Sequence, residues 1–155
     1  RKLDAKDLHT YNGGQKVHYG GVRSLALSAD RKQLIAGGLY KGTNPLGAVN
    51  EPLIMRFDWE TQKVLKKHIV DGVKGVVWRN LFHPDGFVIA CSGGSGGGWL
   101  LFWNAGDEKA FHKFKMKDTA REMDLHPDGI QVATVHWNKK VSLCRLDKKP
   151  DPKKK

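Results

Sequence analysis

The chain has 155 residues, of which 39% are hydrophobic and 28% charged, with a formal charge of +11 at pH 7. These values are typical of a folded domain with one core and exclude a disordered polymer. No apolar run approaches the ~20 residues that a membrane-spanning helix requires, so we expect no membrane insertion. The start RKLDAKDL has neither a signal core nor an initiator Met. We therefore expect residue 1 to be an internal boundary, and the compartment stays open with the cytoplasm preferred.

Part of the positive charge is concentrated at the C-terminus. The last eight residues, KKPDPKKK, carry five lysines against one aspartate, and Pro150 and Pro152 exclude a helix there. We expect a solvated basic tail over residues 148–155, which leaves about +7 on a body with both signs interspersed. Binding of nucleic acid or another polyanion through this tail is an alternative function that rests on charge alone.

The cysteines and histidines show no spacing typical of a metal or haem site. Cys91 and Cys144 lie within the apolar runs FVIACS and VSLCRL, which favours buried thiols over a disulfide. The seven histidines share no ligand spacing on one predicted element. We therefore expect no metal and no cofactor.

The tetrapeptide HPDG occurs at residues 83–86 and again at 126–129, 43 residues further on. Around each copy, short apolar runs alternate with Gly, Pro, Asn and Asp, which predicts a meander of strands. The residue pairs Tyr11-Asn12, Phe57-Asp58 and Trp103-Asn104 recur at steps of 46 residues, and Arg145 follows Trp103 after 42. A four-stranded unit with this period is typical of a β-propeller blade.

The string FDWETQK resembles WDxxTGK, the third-strand signature of WD-repeat propellers, with Phe57 in place of Trp and Gln62 in place of Gly. HPDG and SADR resemble the SPDG turn of the same family. The resemblance extends from Leu8 to Leu146. Over this range the chain is similar to the C-terminal blades of WD-repeat proteins that are numerous in some bacteria. It departs from the family because His18, His68 and His112 lack a consistent Gly-His context, so we expect the family's buried hydrogen-bond network to be incomplete.

The resemblance implies an all-β fold, a partial WD-type β-propeller of four-stranded antiparallel blades, with strands a to d running from the centre outward. We predict strands c and d over residues 1–20, a blade over 21–70 with a long b–c insert at 39–52, a blade over 71–117, and a blade lacking its outer strand over 118–147. These thirteen strands are too few for a ring of about four to eight blades. We expect the remaining blades, and the missing d strand, from the same longer chain or from another subunit, the longer chain being preferred.

Without the hydrogen-bond network, blade packing is expected to depend on apolar contacts. The predicted core residues are Val22, Leu25, Leu27, Ile35, Val77, Leu81, Phe82, Val88, Ile89, Met123, Leu125, Val132 and Val135. We also assign Trp78, Trp99 and Trp103 to the core, whereas Trp59 and Trp137 border turns.

Several conspicuous residues are assigned to structure and not to chemistry. GGSGGG at residues 93–98 has no following GK[ST] and no helix, so we predict a hairpin turn and not a phosphate cradle. Asp85 and Asp128 lack a shared pocket, and we predict no catalytic residue. The predicted structural turn and strand-end positions are His83, Asp85, Gly86, His126, Asp128, Gly129, Phe57, Asp58, Trp103 and Asn104.

In WD-type rings the b–c and d–a loops share one face, which commonly meets partners, and the long insert lies there. The predicted partner-binding residues are Tyr40, Lys41, Asn44, Glu51, Lys74, Lys115, Lys117, His136, Trp137, Asn138 and Lys139. Five of these are lysines and one is a glutamate, which indicates an acidic protein or peptide partner. For any one position, a solvated loop residue is an interpretation of comparable weight. We expect a non-catalytic interaction scaffold; the alternative is an accessory propeller of a larger enzyme or electron-transfer protein.

Overall fold

The computed structural model describes residues 1–43, 50–94 and 96–146. These residues form thirteen β-strands and a one-turn 3₁₀ helix at Lys6–Leu8. The strands make four separate antiparallel sheets of two, four, four and three strands. The predicted all-β fold of partial, propeller-like blades is confirmed. Nowhere in the described ranges is there a helix with the length and hydropathy needed to cross a bilayer.

Each sheet is a meander in which every strand pairs with the next one in the chain. The partial blade consists of β1 (His9–Asn12) and β2 (Val17–Gly20). Blade 1 consists of β3 (Val22–Leu27), β4 (Gln33–Tyr40), β5 (Glu51–Asp58) and β6 (Val64–His68). Blade 2 consists of β7 (Val76–Phe82), β8 (Val88–Gly94), β9 (Gly97–Trp103) and β10 (His112–Met116). Blade 3 consists of β11 (Ala120–Leu125), β12 (Gln131–His136) and β13 (Val141–Arg145).

The middle strands of blade 2 show why these sheets form. In β8, Val88 and Ala90 pack against blade 1, whereas Ile89 and Cys91 pack against blade 3. Successive side chains of a strand point to opposite faces, so a strand buried on both faces needs an almost continuous apolar run. The run VIACS satisfies this requirement and is buried throughout.

The core consists of three apolar layers between neighbouring sheets. The layer between the partial blade and blade 1 contains Leu8, Ala36, Leu53, Met55 and Phe57. The layer between blades 1 and 2 includes Ile35, Ile54, Val77, Leu101 and Trp103. The layer between blades 2 and 3 includes Ile89, Phe102, Met116, Met123 and Val132. Each sheet is therefore stabilised by its neighbours.

Four of the predicted core residues are exposed, and their assignment to the core is wrong for the chain as described. Leu25 and Leu27 are 53% and 48% exposed, and Val22 and Val135 are also exposed. In β3 the alternate residues face blade 2, so Leu25 and Leu27 lie on the side where the partial blade has only two strands. Trp103 is fully buried as predicted, whereas Trp78 and Trp99 are partly buried.

The two predicted loops of blades 1 and 2 differ from expectation in length. The ladder of β4 and β5 continues to the pair Tyr40–Glu51, so the predicted 39–52 insert is shorter at both ends. In blade 2 the ladder extends to Gly94–Gly97 within the GGSGGG segment, whose Ser95 lies outside the described residues. Gly98 has a packing role, because a Cβ there would collide with the Asp118 carbonyl oxygen.

The first strand of blades 1, 2 and 3 contains a β-bulge at the same position. The extra residue is Arg23 in β3, Trp78 in β7 and Arg121 in β11. Each of them stands four residues before the last residue of its strand. A bulge increases the local twist and redirects a side chain. The three sheets thus repeat the same local irregularity.

The two HPDG turns have the same internal hydrogen bond. His83 Nδ1 accepts the backbone N–H of Asp85 at 3.1 Å, and His126 Nδ1 accepts that of Asp128 at 3.2 Å. Because Nδ1 is an acceptor in both rings, the neutral imidazole carries its proton on Nε2. In His126, Nδ1 also lies 3.1 Å from Asp128 Oδ2.

The first turn uses its imidazole to contact the second. His83 Nε2 donates to the Gly129 carbonyl oxygen at 2.6 Å, and its ring stacks on Phe87 with centroids 4.0 Å apart. His83 is buried, whereas the equivalent His126 is exposed because no further sheet follows blade 3 in the described residues. The HPDG histidine thus connects consecutive blades.

The third-strand ends also repeat in structure. Phe57 and Trp103 are fully buried at equivalent positions. The Trp103 indole N–H donates to the Ile69 carbonyl oxygen at 2.7 Å. Asp58 accepts the backbone N–H of Thr61 at 2.7 Å, which holds the following turn, and at the equivalent point Asn104 Nδ2 donates to Asp107 Oδ2 at 2.8 Å.

We predict different costs for removing the two HPDG histidines. His83→Ala removes a buried hydrogen bond and a ring contact, and should lower the free energy of unfolding by about 2 kcal/mol. His126→Ala removes only exposed contacts and should cost less than about 0.5 kcal/mol. Urea denaturation of both variants measures the difference. Equal costs would contradict the inter-blade role of His83.

A second prediction concerns pH. Burial lowers the pKa of His68 to about 4 from 6.5, although a hydrogen bond to the Asp107 carbonyl oxygen favours the charged ring. The unfolded state therefore binds the proton first, so this contribution to stability is complete above about pH 6.5 and is lost as the pH falls toward 4. The loss is about 3 kcal/mol.

The variant His68→Gln isolates this contribution, since glutamine does not titrate. Between pH 7 and about pH 4.5, the free energy of unfolding from urea titrations should fall less steeply for the variant than for the wild type. Parallel curves for the two proteins would show that His68 is not held neutral by burial.

Candidate functional site

The predicted loop face does form one continuous end of the sheets. The connection between blades 1 and 2 meets the b–c end of blade 1, where Gly75 N–H donates to the Asn50 carbonyl oxygen at 3.1 Å. The connection between blades 2 and 3 meets the β12–β13 turn, where Trp137 N–H donates to the Thr119 carbonyl oxygen at 3.1 Å. Asn44 of the predicted surface lies outside the described residues.

Glu51 is the charged centre of the blade 1 part of this face. Its carboxylate lies 2.8 Å from Lys74 Nζ and 3.1 Å from Lys41 Nζ. The hydrogen bond from Lys74, followed by that from Lys41, lowers the pKa of Glu51 to about 2. Lys41 Nζ also lies 4.8 Å from the Tyr40 ring centroid. One glutamate thus pairs with two of the five lysines that were predicted to attract an acidic partner, and its charge offsets one of their two.

A third lysine of the predicted surface is engaged within blade 2. Lys115 Nζ donates to the Gly96 carbonyl oxygen and lies 4.5 Å from the Trp99 ring centroid. The side chains of Lys117 and Lys139 are exposed and have no hydrogen bond or ion pair with any residue that the structure describes. The positive charge available to a partner is therefore smaller than the sequence suggests.

Asp118 fixes the blade 3 part of the face. Its Oδ2 accepts the Asn138 N–H at 2.7 Å and its Oδ1 accepts the Thr119 N–H at 2.8 Å. Its backbone oxygen accepts a hydrogen bond from His136 Nδ1 at 3.1 Å. Together with the Trp137–Thr119 bond, these contacts hold the β12–β13 turn against the connection that precedes blade 3. Three of the predicted residues are thus brought together.

The exposed Trp137 lies over an arginine that the sequence analysis did not select. Arg121 Cζ is 4.6 Å from the Trp137 ring centroid and 4.2 Å from that of Trp78. Trp78 is anchored by its indole N–H, which donates to the Gly93 carbonyl oxygen at 3.2 Å. Cations at such distances from indole rings are stabilised by the ring quadrupole. We call Arg121, Trp78 and Trp137 the Arg121 stack.

The guanidinium of the Arg121 stack retains its hydrogen-bonding capacity. Arg121 is exposed, and no acceptor for its N–H groups exists among the described residues. Trp137 is 70% exposed. The stack therefore combines an oriented cation, five unused N–H donors and an accessible aromatic ring.

The sequence analysis missed Arg121 and placed Trp78 in the core because a simple strand pattern contains no bulge. A signal was present: arginine occupies the bulge position in two of the three blades, as Arg23 and Arg121. What a linear pattern does not show is that Trp78, from the neighbouring blade, lies beside Arg121.

The groups that could act as nucleophile or base are poorly suited to that role. Both cysteines are free; burial raises the pKa of Cys91 to about 12 and also raises that of Cys144. The pKa of Asp128 is lowered, chiefly by the hydrogen bond from the Gln131 side chain. The cysteines are therefore held as thiols, the less reactive form, and Asp128 is held as a carboxylate that is a weaker base than usual.

Comparison of the chain with protein-family models and with curated proteins finds no match. The resemblance to WD-repeat propellers therefore stays a prediction from the repeat motifs. What the site does is argued from its contacts, and among these the Arg121 stack is the most specific arrangement on the loop face.

We predict that Asp118 controls the mobility of the β12–β13 turn. Asp118→Ala removes the acceptor of the Asn138 N–H, a charge-assisted bond worth about 2 kcal/mol. Hydrogen exchange of the peptide covering residues 136–140 should accelerate by about tenfold or more. Asp124→Ala is the matched control, because among the described residues the Asp124 side chain bonds only the adjacent Leu125 N–H. Unchanged exchange in Asp118→Ala would show that the turn is held by other contacts.

Proposed function

We propose that the protein is a non-catalytic interaction scaffold of the WD-repeat type, whose loop face binds an acidic protein or peptide. The observation that carries the proposal is Trp137, a large aromatic side chain that is exposed and yet held over Arg121. Tryptophan and arginine are the residues most enriched where binding energy concentrates in protein interfaces.

The fixed backbone beneath Trp137 supports the same function. Hydrogen bonds to Thr119 and Asp118 hold the turn in one conformation before any partner arrives. Ordering a mobile loop on binding costs free energy, so a fixed loop retains more of its contact energy as affinity. Lys117 and Lys139, which flank this turn and its supporting connection, add positive charge that attracts an acidic segment.

The remaining surface supports completion of a ring by further blades, from the same longer chain or from another subunit. Leu25 and Leu27 are exposed on blade 1, and Val141 and Leu143 of blade 3 are 67% and 76% exposed. Exposed apolar sheet faces promote aggregation unless another element covers them. His126 occupies the turn position from which His83 contacts the next blade. A sheet that covers blade 3 would bring a turn carbonyl to this histidine.

A selection of displayed random peptides against the immobilised protein tests the binding function. The peptides enriched should carry net negative charge, and their affinity should fall by about tenfold or more for the double variant Lys117→Glu/Lys139→Glu, because the loop face then repels them. Fluorescence anisotropy with labelled peptides measures these affinities.

The matched control is Lys32→Glu/Lys63→Glu, which makes the same charge change in the a–b and c–d turns at the opposite end of blade 1. Its effect on affinity should be less than about threefold. Equal losses in both double variants would show that binding follows net charge and not the loop face, and would contradict the proposed function.

A further inference from the structure

We propose that the Arg121 stack is a carboxylate-binding site, in which the guanidinium of Arg121 binds one acidic side chain of the partner by paired hydrogen bonds. This inference rests on the proposed function and names the group that the loop face recognises. The site lies where blades 2 and 3 meet, since Trp78 belongs to β7 and Arg121 to β11.

The two indole rings determine how a ligand approaches Arg121. The two ring centroids lie 4.2 and 4.6 Å from Cζ. A guanidinium stacked on ring faces keeps the N–H groups at its edge available within its own plane. A carboxylate has two oxygens at the spacing of two such N–H groups and binds them in the same plane.

The site is ordered without its ligand. Trp78 is held by the bond from its indole N–H to Gly93, and Trp137 by the backbone bond to Thr119. Arg121 is the bulge residue of β11. Its neighbours Ala120 and Glu122 both pair with β12, so the backbone on either side of Arg121 is held in the sheet. An arginine that is already stacked loses less side-chain entropy when it binds a carboxylate.

The surroundings favour an isolated carboxylate over the phosphate backbone of a nucleic acid. Glu122 follows Arg121 and pairs with Arg79 at 3.2 Å, and Asp118 lies in the supporting connection. These carboxylates would repel a chain of phosphates. A single acidic side chain meets one cation and avoids this repulsion.

Arg23 provides an internal control for this interpretation. It occupies the same bulge position in β3 and is exposed, but it contacts no aromatic ring among the described residues. Arg23→Met and Arg121→Met therefore remove the same charge from equivalent points of two blades. Only the second disrupts a stacked guanidinium.

The experiment measures fluorescence anisotropy of a labelled, terminally blocked peptide of about twelve residues with four glutamates, its glutamine counterpart, and a (dT)12 oligonucleotide. The glutamate peptide should bind at least about tenfold more tightly than the glutamine peptide. Arg121→Met should weaken glutamate-peptide binding by about tenfold or more, whereas Arg23→Met should weaken it less than about threefold. Arg121→Lys should also bind weakly, because lysine keeps the charge and loses the paired donors.

One further variant and three outcomes complete the test. Trp137→Ala alters an exposed side chain, so it should leave the fold intact by near-ultraviolet circular dichroism and should still weaken binding. Equal losses in Arg121→Met and Arg23→Met would overturn the site and leave the proposed function standing. Tighter, Arg121-dependent binding of (dT)12 would overturn the carboxylate assignment in favour of nucleic acid. If the wild type binds no glutamate peptide, both proposals are wrong.

Discussion

The burial of each sheet's face against the next sheet is the interaction on which the rest of this structure depends. Alternate side chains of a central strand such as β8 pack against two different neighbouring sheets. Both faces of the sheet therefore depend on a neighbour for their burial. Polar links reinforce the apolar layers: Ser24 Oγ donates to Asn80 Oδ1 at 2.7 Å between blades 1 and 2, and His83 contacts Gly129 between blades 2 and 3. Small sheets of this kind are stabilised by stacking, as in other repeat architectures.

The candidate binding site is a product of the same packing. Trp78 comes from blade 2 and Arg121 from blade 3, so the distance between them is set by how closely the two sheets approach. That approach requires Gly98, where any side chain would collide with the backbone at Asp118. Asp118 in turn positions the turn that carries Trp137. A change in sheet packing would therefore change the surface that meets a partner.

The strands could be predicted from the sequence because alternation and turn residues are local signals, and a repeated tetrapeptide fixes the blade period. The bulges could not be predicted from the sequence, since the extra residue is defined by how its strand pairs with another strand. In the sequence, Glu51 is one acidic residue beside five lysines of the predicted surface. Only the fold shows that it pairs with both Lys41 and Lys74. The strand pattern predicted Leu25 to be a core residue, but it is exposed. Alternation along a strand does not show which face of the sheet is covered by another sheet.

The most direct test of the account is an NMR measurement of contacts between blades 1 and 2 in solution. A Cβ built at Gly37 of β4 would lie 2.6 Å from Cγ1 of Val77 in β7, so the Gly37 Hα protons and this Val77 methyl group face each other across the layer. Face-to-face packing predicts a strong nuclear Overhauser effect between them. A folded protein in which this cross-peak is absent would contradict the packing of the sheets, and the Arg121 stack would lose its structural basis.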